Sequence, residues 1–175
     1  MSSINSGQAL GIDFGTTNSV VALANGPDQA QLVPFNAPDG ETSVFRSALC
    51  FWEEPGTRSG MAHDAGPWAI EEYLEAPLDS RFVQSFKSVA ASPLFERASI
   101  FNKSLRFEDM GQMFLDRLIH HAGGALKQRP PRVIVGRPVE YAGARADANL
   151  ARERYDRMFA DFGVELHYVF EPLGA

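Results

Sequence analysis

The sequence predicts an α/β fold, a mixed β-sheet with flanking helices, and three observations carry that prediction. Two β-prone runs near the amino terminus, Ala9 to Ile12 and Val20 to Ala24, are separated by a short polar connection. A long amphipathic helix is written over about Phe107 to Leu126. The last third then reads strand, helix, strand, the grammar of an α/β crossover unit.

After a polar leader, the first two strands meet at Gly15 to Ser19, and the second is rich in the β-branched valine that suits a pleated, buried surface. An Asn25-Gly26-Pro27-Asp28 turn leads to a third strand over Gln31 to Phe35, so an antiparallel meander opens the domain. Residues 42 to 52, TSVFRSALCFW, read as one further strand, followed by the turn-prone EEPGTRSG. From Ala62 to Leu74 the pattern turns helical, with His63-Asp64 at its start and Pro77 as its stop. Residues 77 to 106 mix short apolar pieces with Pro93, serines and charges and spell no clear element; a stretch of roughly 37–110 is expected to form an inserted subdomain.

In the long helix Phe107, Met110, Met113, Phe114, Leu118, Ala122 and Ala125 recur at helical spacing, which leaves Asp109, Asp116, Arg117 and His120 outward. Glu108 and Asp109 suit its positive end. Val133, Ile134 and Val135 form a short buried strand. A second helix, about Arg145 to Phe162, buries Leu150, Ala151, Tyr155, Met158, Phe159 and Phe162, with Arg152, Arg154 and Arg157 on a solvated face and Gly163 as C-terminal cap. Val164 to Phe170 resumes strand, and because the chain stops shortly after it, the 175 residues are expected to be one portion of a longer protein.

Bulk properties exclude several classes. With 45% hydrophobic and 22% charged residues the chain is an ordinary globular sequence. Its net charge of -6 argues against nonspecific binding to nucleic acid or an anionic membrane, both of which need basic surfaces. A single cysteine, Cys50, forms no internal disulfide and no structural zinc cluster. No apolar run approaches the roughly 18 residues that span a bilayer, and the amino terminus lacks signal-peptide character, so a cytoplasmic protein is expected.

The chemistry concentrates in GIDFGTTNSVVAL, residues 11 to 23. Asp13 stands in an otherwise apolar strand, and an unpaired buried carboxylate is costly, so Asp13 either faces solvent or has a partner. Gly15, Thr16, Thr17 and Asn18 follow at a turn, where backbone N–H groups can form an anion nest, hydroxyls add donors, and Gly15 lets a phosphate approach the backbone. Asp13 would then orient water on a phosphate-bound Mg²⁺, which keeps much of its hydration shell. The alternative is a plain hairpin with a polar turn and a solvent-facing Asp13. The Walker and Rossmann phosphate patterns are both absent from the sequence.

This stretch resembles the first phosphate motif of the actin, sugar-kinase and heat-shock-chaperone ATPase superfamily, and is most similar to the DnaK-type chaperones. Three later segments resemble the family in the same order. Ser85-Phe86-Lys87-Ser88 resembles the region of its catalytic lysine, Val133 to Pro138 the strand ending in its switch proline, and Phe170-Glu171-Pro172-Leu173-Gly174-Ala175 the segment whose glutamate organises metal and water. Gly136-Arg137-Pro138 and the Phe-Lys-Ser context are similar to the YegD-like branch, which lacks a peptide-binding domain. The resemblance implies a ribonuclease-H-like first lobe that binds ATP and Mg²⁺ against a second lobe, with Lys87, Asp13 and Glu171 in catalysis and Gly15, Thr16, Thr17 and Asn18 holding phosphate. It also implies unfolded protein clients or co-chaperones as partners, and a portion that alone hydrolyses ATP negligibly. Asn18 departs from the family's usual aromatic residue, and the arginine that relays its proline switch has no clean counterpart.

From local sequence alone Lys87 also reads as a surface lysine and Glu171 as a strand-ending acid. A sugar-kinase-type phosphotransferase and a noncatalytic scaffold are the other functions the opening motif allows. His120 and His121 are expected to face solvent, since adjacent helix residues diverge and cannot share a metal.

Overall fold

The computed structural model of the chain describes residues 8–26, 28–126, 130–138, 141, 145–160 and 165–170. Strand β1 (Ala9–Phe14) turns Leu10, Ile12 and Phe14 inward and Gly11 and Asp13 to the opposite face, the period-two alternation of a half-buried strand. β2 (Asn18–Ala24) returns antiparallel, with Phe14 opposite Ser19 and Ala9 opposite Ala24, and β3 (Ala30–Leu32) continues the meander. Asn18 and Ser19 thus belong to β2, which leaves Gly15, Thr16 and Thr17 as the turn.

The run 42–52 is not one strand. β4 (Phe35–Ala37) and β5 (Gly40–Thr42) make a small hairpin, β6 (Val44–Arg46) pairs with β2, and β7 (Ala48–Glu53) departs for a separate sheet. The break falls at Ser47, whose N–H donates to the Thr17 carbonyl at 2.9 Å and whose hydroxyl lies 2.9 Å from that of Ser19. Both hydroxyls are buried, and leaving either unpaired there would cost about 1–3 kcal/mol, so the pair fixes where the chain changes sheets.

β8 (Met61–Ala65) pairs with β7 where the sequence predicted helix. The helical period is genuine but begins later: Gly66 adopts φ +69° and Pro67 occupies the first turn of α1 (Gly66–Glu75). β9 (Ser80–Gln84) completes the three-stranded sheet β8-β7-β9. A 3₁₀ turn, Phe86–Val89, follows Ser85 at φ 56°, and β10 (Ala98–Ile100) pairs with β11 (Lys103–Leu105). The stretch without a legible element therefore holds three short strands.

α2 (Phe107–Ala122) buries Phe107, Met110, Phe114, Leu115 and Leu118, and Asp109 accepts the Arg106 N–H at 2.8 Å to cap its start. β12 (Arg132–Arg137), α3 (Ala148–Phe159) and β13 (Glu165–Phe170) form the crossover unit, β12 lying parallel to both β1 and β13. Asp147 caps α3 by accepting the N–H groups of Asn149 and Leu150 at 2.9 and 3.0 Å. Gly163, expected to end this helix, lies outside the described residues. The chain is thus mixed α/β, with a main sheet in the order β13-β12-β1-β2-β3 and β6 also on β2. Its core is strongly aromatic: the Phe14 ring centroid lies 5.5 Å from Phe86, 5.4 Å from Phe114 and 6.1 Å from Tyr155.

Candidate functional site

Parallel strands β1, β12 and β13 end together, at Phe14, Arg137 and Phe170, so one edge of the main sheet gathers three carboxyl-terminal strand ends. In open α/β sheets ligands bind outside such ends. Asp13 is exposed there, on the face away from the core, in an open cleft of about 330 Å³ whose walls include Gly11, Ile134, Gly136 and Phe170. An exposed carboxylate retains its hydration, so neither folding nor packing obliges Asp13 to have a protein partner.

The adjoining turn is held rigidly. A Cβ on Gly15 would stand 2.1 Å from the Asn18 carbonyl oxygen, so the hairpin itself requires glycine. Thr16 and Thr17 are exposed and share a small gap with Ser47, Gln84 and Ser85, which brings the turn beside the segment leading to Lys87. The Asn18 amide oxygen accepts a hydrogen bond from Arg46 Nη1 at 2.8 Å, tying β2 to β6.

Lys87 is buried, at 8% exposure, and its Nζ lies 5.9 Å from the centroid of the Phe14 ring, at the outer limit of a cation–π contact. A surface lysine it is not. Phe14 points to the core and Asp13 to the other face, so Lys87 and Asp13 flank the end of β1 from opposite sides of the sheet. Glu171, the third residue expected in catalysis, lies outside the described residues. Gly15, Thr16, Thr17, Asp13 and the Lys87 segment are therefore brought to one sheet edge, and exposed Asn18 adjoins the turn with its amide oxygen bonded to Arg46. A larger groove, about 660 Å³ between Pro38–Arg46 and α1, contains none of these residues.

Elsewhere the sequence reading is corrected at three charged or polar positions. His121 is half-buried rather than solvent-facing: its ring stacks on Trp68 with centroids 3.5 Å apart, and its Nε2 lies 2.7 Å from Asp64 Oδ1. Arg117, expected outward, donates to both Asp64 carboxylate oxygens at 3.0 Å. Burial opposes ionisation of Asp64, but these bonds and the Ala65 N–H outweigh it and hold the carboxyl at about 2. These bonds lock β8 to α2 through Asp64. Arg154, expected on a solvated helix face, is buried; its Nη1 donates to the carbonyls of Val89, Ala90 and Ser92, and its Nη2 to that of Phe95.

Sequence reasoning missed the roles of Arg46 and Arg154 because each gains its place from contacts between distant segments. The one local signal was composition: an arginine on a helix stripe otherwise made of Ala151, Tyr155 and Met158. No protein-family model matches the chain, and no curated protein is significantly similar to it.

Proposed function

We propose that the chain is the phosphate-binding, first-lobe portion of an actin-like ATPase of the DnaK type, nearest the YegD-like branch, with the ribonuclease-H-like topology that this resemblance implies. The observation that carries the reading is the convergence at one sheet edge of the Gly15–Thr17 turn, the exposed Asp13 carboxylate and the Lys87 segment. The residues present fit the tail of a nucleoside triphosphate with a hydrated cation. Exposed Thr16 and Thr17 offer hydroxyl and N–H donors for phosphate oxygens, and a lone exposed Asp13 suits a metal that keeps its waters. Among the described residues no three His, Cys, Asp or Glu side chains group as a direct metal cage.

In this reading Gly15, Thr16 and Thr17 hold phosphate, with Asn18 supporting them through Arg46. Asp13 orients metal-bound water, Lys87 offsets charge on the transferring phosphoryl group, and Glu171 completes the metal shell. When bound, Mg²⁺ neutralises phosphate charge; the chain's own part is to fix positions and supply dipoles. No helix among the described residues is long and apolar enough to cross a membrane, and we place the protein in the cytoplasm on its sequence character, with unfolded protein or co-chaperones as partners.

The test is hydrolysis of Mg-ATP by the protein expressed from its complete gene, with and without hexoses and an unfolded peptide. Turnover that does not require a hexose is expected, and stimulation by the peptide marks a chaperone. Turnover only with a hexose would instead indicate a sugar kinase, and absence of both binding and turnover a noncatalytic scaffold.

A further inference from the structure

Arg154 sits on α3, yet every hydrogen bond of its guanidinium described above ends on the segment that follows Lys87. The carbonyls of Val89, Ala90, Ser92 and Phe95 converge on it, and its plane also lies 5.9 Å from the Phe95 ring centroid. Four converging carbonyl dipoles repel one another, and a cation is what such a ring accepts. The residue is only 7% exposed, so its desolvation is offset mainly by these charge-assisted bonds. Burial lowers the Arg154 pKa, while nearby Glu108 opposes that, and a guanidinium so far above neutrality stays charged.

The link to Lys87 is short. The Lys87 carbonyl accepts the Ala90 N–H at 3.0 Å, and Val89 and Ala90, whose carbonyls Arg154 binds, follow Lys87 by two and three positions. The amino end of α3 adds a second tie, the Asp147 N–H donating to the Ala91 carbonyl at 2.8 Å. On the other flank, Phe86 is buried against Phe14 and Phe107. A 3₁₀ turn of four residues has little stability of its own. Its place is set by the packing of Phe86 before Lys87 and the clasp of Arg154 after it.

We propose that Arg154 is the positioning residue for Lys87: it fastens the 89–95 carbonyls to α3 and so fixes the lysine at the sheet edge where phosphate binds. The functional half of this statement rests on the proposed reading of Lys87. The positional half does not, and the experiment separates them.

Trace acetylation of the protein with acetic anhydride, read by mass spectrometry at the chain's lysines Lys87, Lys103 and Lys127, reports how well each is held. The quantity is the Lys87-to-Lys103 rate ratio, compared among wild type, Arg154→Met, Arg154→Lys and, as a control on the exposed side of the same helix, Arg152→Met. The proposal expects about a tenfold higher ratio in Arg154→Met, about threefold in Arg154→Lys, which keeps the charge with fewer donors, and no change in Arg152→Met. General loosening also raises buried Lys87 more than half-exposed Lys103, so denaturant midpoints are measured beside the ratio, and an equal rise in Leu118→Ala at the same loss of stability overturns the proposal. A ratio within about twofold of wild type in both Arg154 variants overturns the proposal. If Arg154→Met does not fold, Arg154→Lys decides. Repeating the wild-type measurement with Mg-ATP tests the phosphate reading by itself: protection of Lys87 supports it, and no protection removes it while the variant ratios still judge Arg154.

Discussion

His121 Nε2 lies 2.7 Å from Asp64 Oδ1, which joins a helix and a strand 57 positions apart in sequence. Trp68 stacks on the same imidazole, so the contact is sealed between α1, β8 and α2. What looked like two unrelated polar residues is the hydrogen-bonded pin of the three-stranded sheet against the long helix.

That pin predicts acid sensitivity. The Asp64 carboxyl is depressed from about 3.8 to about 2 in the folded chain, so its contribution is present above roughly pH 4 and is lost as pH falls through about 2. The contribution is on the order of 2 kcal/mol. Asp109 is also lowered, its bonds to Arg106 outweighing burial, and adds to the same window. Urea unfolding followed between neutral and strongly acid pH should show this loss, and Asp64→Asn should flatten the curve there; an unchanged curve in the variant would assign the acid transition to other groups.

Two glycines should respond very differently to alanine. At Gly66 the φ of +69° is left-handed and a Cβ would meet the Phe45 ring at 2.5 Å, inside the core. Gly111 shows an equally short distance, but to the flexible Met158 side chain. Denaturant midpoints should place Gly66→Ala at a loss of about 3 kcal/mol or more and Gly111→Ala at roughly 1 kcal/mol. A reversed order would contradict this account of the α1 start.

Gly15→Ala tests whether turn and binding are one property. Its Cβ would collide with the Asn18 carbonyl at 2.1 Å, so the hairpin must open and stability should fall by about 2 kcal/mol. Mg-ATP affinity should fall with it, read by calorimetry on material still folded. Affinity equal to wild type would move the phosphate site away from this turn.

Lys87→Ala should lower hydrolysis by about a hundredfold while nucleotide affinity stays within a few fold, because its role is exerted on the transferring group. Single-turnover kinetics checks this. Unchanged turnover would leave Lys87 as a buried structural lysine over Phe14.

Much of this architecture was legible from periodicity. The β1–β2 pair, the long helix and the closing β12-α3-β13 unit were all expected because each carries its apolar pattern locally. The failures have physical causes. Residues 42–52 are continuously β-prone, and the bonds of Ser47 to Thr17 and Ser19, contacts between segments, mark where β6 gives way to β7. β8 runs without a break into the helix that follows, and the Gly66-Pro67 signal for the true start sits inside the predicted helix. At the candidate site the residue types were readable, and the burial of Lys87 was not, since it depends on Phe14 and on segments far along the chain. His121 and Arg154 were assigned to solvent because a single-helix pattern does not register partners on its flanks.

The most direct measurement is a titration of backbone amide resonances with Mg-ATP, using the protein from its complete gene. The account predicts that the largest shifts fall on Gly15, Thr16 and Thr17 and that Asp13→Ala weakens them. Shifts centred instead on the groove between Pro38–Arg46 and α1, or none at saturating nucleotide, would contradict it.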